Sequence, residues 1–93
     1  MRFQAILRDL VNKKALVWFP VIQAASHREA MHLALKRLKR RRIYKSDANI
    51  REFVRISEIE SGFNPAGFEF DVLPEALRRF SMDVRVVEKQ KEV

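Results

Sequence analysis

Ninety-three residues, 47% apolar and 33% charged, suit one small folded domain over 1–93 rather than a disordered chain. Nineteen Lys and Arg against twelve Asp and Glu leave a net charge of +7, which points to an acidic or polyanionic partner. With no cysteine there is no disulfide framework and no thiolate zinc site, and the expected compartment is the reducing cytoplasm.

In chain order, Arg2–Arg8 alternates Phe3, Ala5 and Leu7 against Arg2, Gln4 and Arg8, which predicts a strand. The charges at Arg2, Arg8 and Asp9 interrupt it as a secretory signal. Asp9–Lys14 is turn-like, so a hairpin into the next strand is expected. Ala15–Ala25 is a strand with apolar residues on both faces, Val17, Phe19 and Val21 against Leu16, Trp18 and Ile22, as if covered on both sides. Pro20 cannot donate to a sheet ladder, so a bulge or bend is expected near Phe19–Pro20. The apolar run Ala15–Ile22 is far shorter than the ~20 residues of a membrane helix, and no membrane partner is expected.

Ser26–Arg41 predicts a long helix of about 24 Å. Ser26 and Glu29 form a capping-box pair, and Met31, Ala34, Leu35 and Leu38 form the buried stripe. Ile43–Asn49 reads as a loop and Arg51–Glu60, rich in Phe53, Val54, Ile56 and Ile59, as a strand. Turn chemistry follows over Ser61–Pro65, then a short strand Phe68–Val72, a brief helix Leu73–Phe80 opened by Pro74, and a last strand Met82–Glu88. Residues 90–93 read as a frayed tail. The expected class is α+β: a small antiparallel sheet with one long helix on one face, in the ferredoxin-like βαββαβ order preceded by an extra N-terminal strand. The alternative is a hairpin, the helix and one or two strands, with an irregular C-terminal segment.

The charge is not evenly spread. Lys36, Arg37, Lys39, Arg40, Arg41, Arg42 and Lys45 fall within ten residues that contain no acid, and the rest of the chain balances twelve cations against twelve acids. Dipole compensation at a helix C-terminus needs one or two cations, not seven. These residues are the candidate phosphate contacts, with Tyr44 beside them as a ring able to stack on a base.

Other constellations carry less. Gly67-Phe68-Glu69-Phe70 is similar in part to the Gly-aromatic-x-aromatic signature of RNA-recognition motifs. Ala66, Glu69 and Asp71 depart from that pattern, so Phe68 and Phe70 are read as core residues of an amphipathic strand. The run from Trp18-Phe19 through Ser26 and Glu29-Ala30 to Ile56, Glu58 and Ile59 is similar, over at most residues 1–60, to the archaeal ribosomal protein LX family. Any strand leading into a capped helix uses those elements, and no family is assigned on them. His27 and His32, five apart, occupy different helix faces and read as exposed side chains; no metal or cofactor is expected. No phosphate-cradling loop or nucleophile elbow is present in the sequence, and a lone His32 base has no orienting partner, so the expected protein is not an enzyme.

Two functions fit this profile. One is a small basic protein that binds nucleic acid, RNA more than DNA. The other is a protein-binding module, such as a small phage or mobile-element inhibitor, docking on an acidic host surface. An exposed apolar patch at Trp18 and Ile22 would favour the second or a homodimer through an open sheet face.

Overall fold

The computed structural model describes residues 1–61 and 75–87. Three strands, β1 (Arg2–Asp9), β2 (Lys14–Gln23) and β3 (Phe80–Val86), form an antiparallel sheet in the order β2-β1-β3. Four helices complete the described elements: α1 (His27–Leu38), α2 (Arg42–Ser46), α3 (Ala48–Glu60) and α4 (Glu75–Arg79). The class is α+β.

β1 lies at the centre of the sheet, not outside it as an added strand. It buries Phe3, Ala5, Leu7 and Asp9 on one face and leaves Arg2, Gln4, Ile6 and Arg8 on the other. A central strand keeps this clean alternation when only one face of its sheet is covered. The hairpin to β2 is closed by Asp9, whose carboxylate accepts the Val11 and Asn12 backbone N–H groups, both at 3.0 Å, and the Asn12 side-chain amide at 2.8 Å.

β2 carries the flaw that Pro20 requires. Phe3 pairs with Ile22 and Ala5 with Phe19, so the edge strand spends one extra residue at Pro20–Val21. That residue flips the alternation beyond it: Val17, Phe19 and Ile22 all enter the core, whereas Trp18 and Val21 are exposed. The expected partition, with Val21 beside Phe19 and Ile22 beside Trp18, fails for this reason. The expected cover on both faces is also absent at Trp18, which is 58% exposed.

α1 begins as its sequence predicts. Ser26 Oγ accepts the Glu29 N–H at 3.1 Å, and the Glu29 carboxylate accepts the Ala25 N–H at 2.6 Å. Ala30, Ala34, Leu35 and Leu38 are buried against the sheet, with Met31 half-buried beside them. The helix stops at Leu38, three residues before its expected end. Across Lys39–Arg42 four successive cations have no acid at helical spacing to support another turn, and Arg41 adopts an extended backbone that starts α2. The expected helix is shortened to α1, and α2 forms where a loop was expected over Ile43–Asn49.

The strand expected over Arg51–Glu60 is instead the helix α3, and the ferredoxin-like order that needed it is not found among the described residues. Asp47 caps α3 by accepting the Asn49 N–H at 2.9 Å, and Ile50, Phe53, Val54 and Ile56 are buried. Phe53 meets Phe80 of β3 edge-on at 6.0 Å, which fixes α3 to the same side of the sheet as α1. Of the brief helix expected over Leu73–Phe80, Leu73 and Pro74 lie outside the described residues and α4 covers Glu75–Arg79; the last strand begins at Phe80, two residues earlier than expected. The strand Phe68–Val72, the motif Gly67–Phe70, the turn residues Gly62–Pro65 and the tail 90–93 lie outside the described residues.

Candidate nucleic-acid interface

The end of α1, the turn after it and α2 bring the seven predicted cations into one region, but on different flanks of it. Buried positions Ala30, Ala34, Leu35 and Leu38 define the inward side of α1, and Lys36 stands opposite them. Arg37 turns toward β2 and donates from Nη1 to the Val21 carbonyl at 2.7 Å. Arg41 also reaches β2, its guanidinium 5.1 Å from the centre of the Phe19 ring. Lys39 turns the other way, to Glu58 of α3 at 2.7 Å. Among the described residues no ion pair engages Lys36, Arg40, Arg42 or Lys45, and all four are exposed.

The Arg37 contact has a structural use as well. Val21 lies at the bulge of an edge strand, where carbonyls lack a neighbouring strand, and the guanidinium covers one of them. Arg37 and Arg41 thus tie the basic turn to β2 while keeping their charge.

Tyr44 is half-buried and packs on the core, and its ring lines a cleft of about 380 Å³ between α2 and α3. The cleft also presents Lys39, Arg51, Glu52, Arg55 and Glu58. Its charges are largely answered internally. Arg55 hydrogen-bonds the Glu52 carboxylate, holding Glu52 below the ordinary carboxylate value and its own guanidinium above its usual one. Arg51 donates to the Tyr44 and Lys45 carbonyls at 3.1 and 2.6 Å, closing the C-terminal end of α2. The unanswered charge lies outside the cleft, on Lys36, Arg40, Arg42 and Lys45.

The face of the sheet that no described helix covers holds residues that the basic run did not point to. Trp18 of β2, Ile6 of β1 and Asp83 of β3 lie across one row of the ladder. Trp18 Nε1 donates to Gln4 Oε1 at 3.2 Å, and Arg8 Nε donates to Asp83 Oδ2 at 2.8 Å. Arg85 is exposed opposite Gln4. The polar half of β1's alternation carried part of this signal, but not which side of Trp18 would be open.

His27 is exposed with its ring edge-on to Phe3 at 5.0 Å, and His32, expected to be exposed, is half-buried. Among the described residues no group of three or more His, Cys, Asp or Glu could hold a metal ion, and no helix is long and apolar enough to cross a membrane. Comparison with protein-family models, curated proteins and solved structures finds no match for this chain.

Proposed function

We propose that this protein is a small non-enzymatic nucleic-acid-binding protein of the cytoplasm, with RNA favoured over DNA, that grips phosphates through the turn between α1 and α2. The observation that carries the reading is the group of four exposed cations, Lys36, Arg40, Arg42 and Lys45, with no ion pair among the described residues. Charges left unanswered in one place attract a polyanion, whereas cations paired to neighbouring acids do not. Arg37, Lys39 and Arg41 hold the turn in place and add to its potential.

A salt titration of binding to single-stranded RNA, duplex RNA and duplex DNA tests this. Phosphate contact by the four unpaired cations gives log K against log salt a slope of about −3 to −4. The double variant Arg40→Glu, Arg41→Glu weakens binding and lowers that slope, with Lys36, Arg42 and Lys45 still in place, while the far-ultraviolet circular dichroism stays that of the parent. Absence of binding at low salt to all three ligands sinks the proposal, and the ridge then reads as half of an interface with an acidic protein.

A further inference from the structure

We propose that the open face of the sheet around Trp18 stacks a base of a single-stranded polynucleotide whose backbone is held by the turn between α1 and α2; this rests on the phosphate-binding reading above. The indole is 58% exposed and its orientation is already set by the hydrogen bond to Gln4, so little freedom remains to be lost when a base lies on it. Large exposed aromatics cost solubility, and here the ring sits on a sheet face furnished with charge rather than in an apolar patch. Asp83, the acid nearest in the ladder, is neutralised by Arg8 at 2.8 Å, which leaves Arg85 as an exposed cation on that face.

The basic turn meets the strand that carries Trp18 from the helix side of the sheet. Arg41 lies over Phe19, the residue after Trp18, whose ring enters the core, and Arg37 binds the carbonyl of Val21, three residues on. The cations therefore reach the edge of the strand that presents the indole. A strand whose phosphates follow Arg41 and Arg37 along β2 brings its bases over the edge toward Trp18. Duplex bases are stacked and paired within the helix, so a duplex engages the cations and leaves the indole bare. An apolar protein partner fits less well, because Arg8, Asp83, Arg85 and Gln4 interrupt the apolar surface around Ile6 and Trp18.

The chain has one tryptophan, so its emission reports this site alone. The experiment titrates the full chain with labelled oligouridylate and with a duplex of equal length, reading anisotropy and tryptophan emission together. Oligouridylate quenches the emission and the duplex does not. Trp18→Leu weakens oligouridylate binding by roughly five- to hundred-fold and leaves duplex binding unchanged. Trp18→Phe, which keeps a ring, recovers most of the affinity, and circular dichroism verifies that both variants fold. If Trp18→Leu binds oligouridylate like the parent while Arg40→Glu, Arg41→Glu binds it more weakly, the stacking inference is overturned and the phosphate reading stands. If no nucleic acid binds, both fall. If Trp18→Leu instead dissociates a dimer seen by sedimentation, the face is a self-interface and the inference fails.

Discussion

At the scale of single residues, Asp9 shows how a charge can be buried without a strong ion pair. The Asn12 backbone N–H holds its carboxyl below the ordinary value of 3.8, burial pushes the other way, and the Asn12 amide, the Val11 N–H and the Arg79 charge add to the lowering. Arg79 Nη2 is 4.0 Å away, so hydrogen bonds to the turn do most of the work. Because the folded carboxyl has the lower pKa, the unfolded chain takes up the proton first as pH falls. The stability that Asp9 contributes is thus complete above about pH 3.8 and is lost as pH falls through the lower, folded value. Asp9→Asn keeps the size of the side chain and removes its titration. Thermal midpoints of parent and variant are expected to differ most near neutral pH and to converge in acid. A gap that stayed constant with pH would show that shape, not charge, holds the turn.

At the scale of elements, α3 is the segment where composition and context disagree. Asp47→Ala removes its cap and is expected to cost about 1 kcal/mol. Phe53→Ala opens a cavity beside Phe80 and is expected to cost about 3–5 kcal/mol. Urea unfolding measures both, and a harmless Phe53→Ala would mean that α3 does not pack on the sheet. The same segment explains what the sequence could and could not convey. The hairpin, the bulge at Pro20, the cap of α1 and its stripe through Leu35 and Leu38 each rest on local chemistry, and they were legible. In α3, Phe53, Val54, Ile56 and Ile59 have the side chains of a strand, while Ile50, Phe53 and Val54 have the spacing of a helix. Short apolar runs do not separate the two, and the deciding residue is Asp47, a cap that in the sequence is indistinguishable from a loop residue. The basic run was visible as composition. Its division between β2, through Arg37 and Arg41, and α3, through Lys39, depends on where those elements pack, and no local pattern encodes that. Trp18 failed to declare its side for a similar reason: Leu16–Ile22 is apolar on both faces, and which face meets the helices is set by packing.

At the scale of the whole molecule, the net charge of +7 sets two responses to salt against each other. The ion pairs Arg8–Asp83, Lys39–Glu58 and Arg55–Glu52 have partly exposed partners and contribute about 0–1 kcal/mol each, weakening as salt screens them. Repulsion within Lys36–Lys45 is present in the unfolded chain too, because those residues are sequence neighbours. Folding adds the repulsion that chain separation had spared, when α3 brings Arg51 and Arg55 beside Tyr44 and Lys39. Salt at 0.1 M screens exposed charges beyond about 10 Å, and that added cost fades with the attraction of any polyanion. The thermal midpoint of the free protein is therefore expected to rise modestly with salt while affinity for nucleic acid falls. In Arg40→Glu, Arg41→Glu the binding dependence flattens while the rise of the midpoint persists, since that rise comes from Arg51 and Arg55 meeting Lys39, and the change in stability at low salt stays within about 1 kcal/mol. Scanning calorimetry beside a binding titration in the same buffers measures the pair. A midpoint that falls with salt would mean that ion pairs such as Lys39–Glu58 outweigh the repulsion, and that the turn is a structural clasp between α1 and α3 rather than a surface held open for phosphate.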